Sequence, residues 1–435
     1  MIKEKIAVIG AGISGLSASL LLSKKYEVHL FEQNNYLGGH TRTKIIEEKN
    51  QKYNIDTGFI VFNKKNYPDL VNFFKYLKIN TENSNMSFSV SMDLPKIEYC
   101  SNILKSLLTQ KKNFFALKFW LFFFEIFTLY NQCKKINSLK NIDDSTLEDF
   151  LNEFNYSKEI RDFHIYPIVS SIWSCDVNEV KKFPLISFIN FFNNHKLFNL
   201  IKRPKWKFVK GGSKKYIDAI ISKNLFNYKI NKKVIKIIRN NKNITIIFNN
   251  NKKIIFNKII LAVHADQILK ILDKPTNEES NILSKFKYSK NHAYLHSDTN
   301  FMPRSKFIWS SWNFLNNNKN NISFSLTYWM NLLQNIKSQK NYFVSINPFE
   351  TPTKYYDKTI FEHPIFNLET LSAQKKIKKI QGIQNTWYCG SYCGYGFHED
   401  GIQSAVYVAQ NLGIDIPWQR LSNYYSRLQF DKNDR

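Results

Sequence analysis

Six residues near the start of the chain, Gly10-Ala11-Gly12-Ile13-Ser14-Gly15, restrict its fold more than any other stretch. They follow a short apolar run, Ile6–Ile9, that reads as a buried parallel strand. They open a segment, Ser14–Lys24, in which Leu16, Leu20 and Leu21 recur at helical spacing. Glu27–Glu32 then reads as a second strand, which completes a βαβ unit of about thirty residues. Each glycine has its own task in such a unit. Gly10 permits the tight turn out of the strand, Gly12 lets the backbone approach a pyrophosphate, and Gly15 lets the helix lie close on the sheet. The free N–H groups of the helix start, at Ser14 among others, and the positive end of its dipole then face the phosphates. Glu32 ends the second strand 20 residues after Gly12, where a carboxylate can accept hydrogen bonds from ribose hydroxyls. A bound dinucleotide is the expectation.

At 435 residues the chain exceeds one simple core, so two domains are expected. Hydrophobic residues make up 43% and aromatic residues 15%, enough for a large core and against global disorder. The 62 Lys and Arg outnumber the 35 Asp and Glu, giving a formal net charge of +27. Three readings compete: AT-rich codon bias that places Lys at surface positions, attraction to an anionic membrane surface, and nucleic acid. No helix-turn-helix, zinc-finger or single-strand-binding signature supports nucleic acid, which is therefore not an expected partner. The field would also repel cationic substrates such as polyamines. Cys100, Cys133, Cys175, Cys389 and Cys393 are odd in number and lack a metal-type pair, so a reducing, cytoplasmic location is expected and no metal. The strand that begins by Ile6 leaves no room for a secretory signal.

From about residue 100 to 200 the chain reads as mostly helical. Within it, Phe114–Tyr130 (FFALKFWLFFFEIFTLY) is the membrane candidate, flanked by Lys111-Lys112 and Lys134-Lys135. Its 17 residues are short for a span and Lys118 and Glu125 interrupt it. A buried or substrate-covering helix, a helix lying in the membrane interface and, last, a transmembrane helix all stay open. Between Lys232 and Leu261, IKII, ITIIF and KIIFNKIILAV read as a hairpin or meander feeding another strand. ISFSLTYW and YFVSI read as strands of the region 286–374, and Thr386–Leu412 as strand, Gly-rich turn and a helix beginning near Gly401. With no long linker in view, the domains interleave: a dinucleotide domain from 1–95, 205–285 and 375–435, and a substrate domain from 96–204 and 286–374. The expected class is α/β, a Rossmann-type domain interleaved with a mixed α+β domain.

Gly38-Gly39-His40-Thr41-Arg42-Thr43, with Asp56-Thr57-Gly58-Phe59, gives a GG-x-x-R-T…D-x-G pattern. Here the chain resembles the flavin-containing amine oxidase and phytoene desaturase superfamily. In that family the GG segment runs beside the pyrophosphate and ribityl chain, so the resemblance implies FAD, held noncovalently, rather than NAD. Glycines permit close approach, and Arg42 can pair with phosphate oxygens. By the same resemblance Gly38, Gly39, Arg42, Thr43, Gly58 and Phe59 line the cofactor, Val234 lies where backbone groups hold adenine, and Ala262-Val263-His264-Ala265 leaves its strand near the cofactor. The resemblance also implies that Gly390, Ser391, Asp400, Gly401 and Ile402 belong to a C-terminal strand, loop and helix that approach the flavin. Ser391 stands where the family usually has an acidic residue. LGGHTRT, DTGFIVFN, NYPDL, TYWMNLLQ, FEHPIF and GYGFHEDGIQSA resemble, over nearly the whole chain, a bacterial family of predicted NAD/FAD-binding proteins. That family accompanies cyclopropane-fatty-acid-synthase-like methyltransferases. The resemblance implies a flavoenzyme acting on lipid acyl chains, with a methyltransferase as partner.

Candidates for the reacting end are His398 and Glu399, placed just before the last helix, and His296 and Tyr328 in the substrate domain. Cys389 and Cys393 do not match the family's cysteinyl attachment site. Trp309, Trp312, Trp329 and many Phe residues could line an apolar tunnel. The expected function is FAD-dependent oxidation of an apolar substrate, a methylated or unsaturated acyl chain giving a hydride to the flavin. The alternatives are an amine or amino-acid oxidase, a carotenoid-type desaturase, a flavin isomerase, and a flavin-holding partner of a lipid methyltransferase. Peripheral contact with an anionic inner membrane face is a further expectation.

Overall fold

The computed structural model describes residues 3–93, 97–102, 106, 117–136, 142–199, 203–240, 243–316, 325–418 and 426–431. The strand Lys5–Ile9 is entirely apolar after its first residue, and Ile6, Ala7 and Val8 are fully buried. Burying a side chain of this size stabilises by roughly 1.5–3 kcal/mol, which fixes the strand in the sheet interior. It pairs in parallel with Glu27–Phe31 on one side and Lys258–Leu261 on the other. Asn227–Lys229 and Thr386–Tyr388 complete a five-stranded parallel sheet in the order 227, 27, 5, 258, 386. Sequence order reverses at the central strand, the place where open α/β sheets bind ligands.

The first helix, Ile13–Leu22, is buried along its whole length between this sheet and the last helix, His398–Asn411. Gly15 allows that packing: a Cβ there would lie 1.8 Å from the carbonyl oxygen of Gly10. The Lys232–Leu261 region is a three-stranded meander, Val234–Arg239, Ile244–Phe248 and Lys253–Phe256, that leads into Lys258–Leu261, as its β-branched runs predict.

A second, seven-stranded sheet carries the other domain. Its order is Tyr355–Ile365, Lys287–His296, Phe343–Ile346, Ser325–Trp329, Trp312–Asn316, Phe88–Met92 and Ile97–Cys100. All pairings are antiparallel except Phe88–Met92 with Trp312–Asn316. Phe88–Met92 thus pairs within the second sheet, and the boundary expected at residue 95 lies outside the described residues. Helices Leu117–Lys135, Leu147–Glu153, Tyr166–Trp173 and Leu185–Asn194 form a separate apolar cluster against this domain. Residues 114–116 of the membrane candidate lie outside the described residues, and no helix among the described residues is long and apolar enough to cross a membrane.

Candidate active site

A cavity of about 1300 Å³ begins at the C-terminal ends of the parallel strands and runs into the second domain. Gly10, Gly12, Ser14, Glu32, Gly38 and Gly39 line its first part. Gly39 has φ +58°, and a Cβ on it would meet the Gly12 Cα at 3.2 Å, so the two glycine turns touch. No side chain caps the first helix at Gly12, and nothing stands within 4 Å of a Cβ placed there. The uncapped N–H groups of the first turn thus open on the cavity, with the positive dipole end behind them. The Glu32 carboxylate accepts from Ala11 N at 2.8 Å and from Asn34 N at 2.9 Å, which orients it across the turn with lone pairs to spare. Val234, Gly58, Phe59, Gly390 and Ser391 also line the cavity.

The last helix begins at His398, three residues earlier than its glycine predicts. Asp400 explains the early start: its Oδ2 accepts from Phe397 N at 2.8 Å and from Arg427 Nη2 at 2.9 Å. A Cβ on Gly401 would sit 2.7 Å from Ile13 Cγ2, so the starts of the first and last helices abut. Asp400, Gly401 and Ile402 set this contact from beneath the cavity wall rather than on it. His398 does line the cavity, its ring stacked on Phe59 at 3.7 Å. Its Nε2 lies 2.9 Å from Thr41 Oγ1 and 3.4 Å from Tyr216 Oη, and burial lowers its pKa to about 3.

Several expected site residues are used elsewhere. Arg42 pairs with Asp357, which also takes Lys44 at 3.0 Å, and it does not reach the cavity wall. The Thr43 hydroxyl donates to Asp56 at 2.5 Å. Asp56 is fully buried and also accepts from Ser213 N, Ser213 Oγ and Gln334 Nε2. Glu399 is fully buried away from the cavity, where it accepts from Asp69 N at 3.0 Å, Leu70 N at 2.9 Å and Gln403 Nε2 at 2.7 Å. It caps the helix Pro68–Tyr76. Burial and the nearby Asp69 push its carboxyl up, against the pull of those backbone donors. His296 sits in the second sheet: Asp298 N donates to its Nδ1 at 3.1 Å, which leaves Nε2–H for Ser345 Oγ at 2.8 Å. It lies off the cavity wall, and burial lowers its pKa to about 4. Of the four reacting-end candidates, His398 and Tyr328 are on the wall; Tyr328 packs edge-on against Trp312 at 4.9 Å.

The inner part of the cavity holds groups that the sequence did not single out. His195 is 2% exposed and lines the wall. Its Nδ1 is 3.0 Å from the Phe191 carbonyl oxygen, which can only accept, so Nδ1 carries the proton and Nε2 keeps its lone pair. Burial lowers its pKa to about 3, and Nε2 has no partner among the described residues. His164 lies in a π-helical turn, Arg161–Ile165. Tyr99 donates to Phe163 O at 2.6 Å and faces His164 Nδ1 at 3.0 Å; Tyr130 faces Nε2 at 2.8 Å. The Tyr99 bond to a carbonyl fixes the order: Nδ1–H donates to Tyr99 and Tyr130 donates to Nε2. No spacing in the sequence marks His164, His195, Tyr99 and Tyr130 as partners, because they come from a strand, two helices and a π-turn.

Four residues of this wall carry a buried polar atom without a partner among the described residues: His40 Nε2, His195 Nε2, Trp312 Nε1 and Tyr392 Oη. Such groups need an occupant to bond. Burial, and then the neighbouring His363 and His264, hold His40 well below its ordinary value and neutral. Among the described residues the carboxylates on the wall are Glu32 and Glu362, against Arg203, Lys232, Lys233, Lys270 and Lys290. Glu362 faces His264 Nδ1 at 3.2 Å. Cys389 and Cys393 are buried in the core off the wall.

A family profile described as an NAD(P)-binding Rossmann-like domain matches residues 8–77. No curated protein matches the chain. Among solved structures, a putrescine oxidase bound to putrescine aligns with TM-score 0.67 at 14% identity, over 94% of this chain and 99% of that one. Cyclohexylamine oxidase from Brevibacterium oxydans aligns with TM-score 0.66 at 14% identity, over 94% of this chain and 100% of that one. A CLA-producing fatty acid isomerase from P. acnes aligns with TM-score 0.63 at 13% identity, over 94% and 98%. The chain has their fold: a Rossmann-type domain interleaved with a mixed α/β domain.

Proposed function

We propose that this chain is a FAD-dependent oxidoreductase whose substrate is an apolar chain, best an unsaturated or methylated fatty acyl group. The residues fit the cofactor. The Gly12–Gly39 cradle and the uncapped first helix suit a pyrophosphate, Glu32 suits the adenosine ribose, and the orphaned Nε2 of His40 suits a ligand on the wall beside them. The second glycine turn and the abutting last helix are arranged for a flavin nucleotide, which is longer than the first motif alone requires. Bound there, FAD supplies a two-electron acceptor for a hydride from a substrate carbon.

The observation that carries the substrate class is the inner wall. Its helical part offers Phe123, Ile126, Ile168, Ile172, Phe191 and Phe192 and no carboxylate among the described residues. A protonated amine would lose its water there without a counter-ion. An acyl chain loses nothing by leaving water and gains about 0.8 kcal/mol per buried CH₂. The fold is shared by amine oxidases and by a fatty acid isomerase, and this wall favours the second kind of ligand. His195 holds a lone pair at Nε2, fixed by Phe191, where it can accept a hydrogen bond from a polar group of the ligand. Tyr130, backed by His164 and Tyr99, presents a hydroxyl of fixed orientation. The surrounding aromatic residues exclude water from the reacting end. The test is lipid profiling of cells with and without the protein. A change confined to unsaturated or branched acyl chains supports the proposal; an unchanged acyl profile with accumulated amines overturns it.

A further inference from the structure

The helix Leu117–Lys135 has two apolar faces, one buried in the core and one exposed. Ile126, Leu129 and Tyr130 point inward, and Phe123, Ile126 and Tyr130 form part of the cavity wall. On the other side Leu117, Trp120, Leu121, Phe124 and Phe127 are 73, 46, 54, 67 and 54% exposed. Their spacing of three and four residues places all five on one stripe. Scattered exposed apolar residues are ordinary, but a continuous stripe of large ones marks an interaction surface.

The helix ends on basic residues. Lys134 and Lys135 are exposed at the C-terminal end of the helix. Glu125, the one acid among this helix's residues, is turned aside: its Oε1 accepts from Ser157 N at 2.7 Å and its Oε2 from Ser157 Oγ at 2.5 Å. The whole chain carries +27. A second copy would therefore bring like charge against like charge, whereas an anionic bilayer offers acyl chains to the stripe and phosphates to Lys134 and the basic surface.

We infer that this face of the helix seats the protein on an anionic lipid bilayer, with the helix lying in the plane of the interface and not crossing it. An amphipathic helix of this kind buries its apolar face to the headgroup boundary. The cavity then lies one helix thickness, about 10 Å, behind the bilayer surface. Delivery of an acyl substrate across that wall rests on the function proposed above; docking does not.

The experiment is sedimentation of the holoprotein with vesicles of phosphatidylcholine, with and without phosphatidylglycerol. We expect binding to the anionic vesicles that weakens with added salt. Phe124→Glu with Phe127→Glu, both on the exposed face, should lower partitioning by about a hundredfold, as expected for withdrawing two buried Phe side chains from lipid. Quenching of tryptophan fluorescence by brominated lipid in the unaltered protein should fall with Trp120→Phe, a readout independent of how the double variant folds. Binding unchanged by the double variant, or quenching unchanged by Trp120→Phe, would overturn the inference. A dimer abolished by F124E/F127E in a protein that ignores vesicles would overturn it as well. Because no turnover is measured, this result stands apart from that of the lipid profile.

Discussion

Arg427 is the cation on which the last helix depends, and replacing it with Met isolates the charge. Its side chain is 2% exposed beside an Asp400 side chain that is 0% exposed, and its guanidinium lies 5.3 to 5.6 Å from the rings of Tyr67, Tyr395 and Phe397. Arg427→Met keeps most of the volume and leaves the Asp400 carboxylate with the backbone donors of Phe397 and Tyr395 but no cation. A buried unpaired anion can always escape by taking a proton, so protonation caps the penalty. For a carboxyl with an ordinary pKa of 3.8, holding the proton at pH 7 costs about 4 kcal/mol, at about 1.36 kcal/mol per unit. At pH 5 the cap is about 2 kcal/mol. Loss of the Nη1 bond to Asn66 O adds about 1 kcal/mol. We expect R427M to destabilise the fold by about 3–5 kcal/mol at pH 7 and about 2–3 kcal/mol at pH 5. The direction follows from proton binding: Asp400 in the variant is protonated when folded and ionised when unfolded, so stability falls as pH rises. Asp400→Asn added to R427M should recover about 2 kcal/mol at pH 7 and remove the pH dependence. Urea unfolding followed by circular dichroism at both pH values measures this. A cost below about 1 kcal/mol at pH 7, or one that grows on acidification, would refute the reasoning.

Glu32→Ala removes the acceptor for two backbone N–H groups and for the ribose, and should weaken FAD binding about 10- to 100-fold by fluorescence titration. His195→Gln should lower turnover while FAD affinity holds, whereas His296→Gln, in the sheet, should change stability alone. Glu399→Ala should cost about 2 kcal/mol in urea unfolding through the uncapped Pro68–Tyr76 helix, with turnover per bound flavin nearly unchanged. Burial raises the Asp56 carboxyl to about 6 against its four donors, so the folded state holds an extra proton between about pH 4 and 6. Stability should fall by up to about 3 kcal/mol across that window as pH rises, and Asp56→Asn should flatten the slope.

The cofactor end of the site is legible in the sequence because its parts are local. Strand, turn and helix from Lys5 to Leu22 are contiguous, and Glu32 is fixed in place by the adjoining strand. The same locality misleads at Arg42 and Glu399. Their neighbours in sequence touch the cavity, but Asp357 lies 315 residues from Arg42, and the helix start capped by Glu399 lies about 330 residues away. Glu399 and Asp400 follow one another in a helix and so must face different ways. The start of that helix was misplaced because a carboxylate three residues in, not a glycine, holds Phe397 N. The inner cavity was illegible for a different reason. Phe88–Met92 and Trp312–Asn316 are paired in parallel across more than two hundred residues, and nothing short of the fold brings His164, His195 and Trp312 to one wall.

The proposed function requires a flavin-holding cavity that ends in an apolar pocket suited to acyl chains. Anaerobic spectrophotometry of the purified holoprotein tests it most directly. Bleaching of the oxidised flavin by unsaturated or methyl-branched acyl lipids, with diamines and cyclic amines inert, is the predicted result. Bleaching by amines with every acyl lipid inert would contradict it.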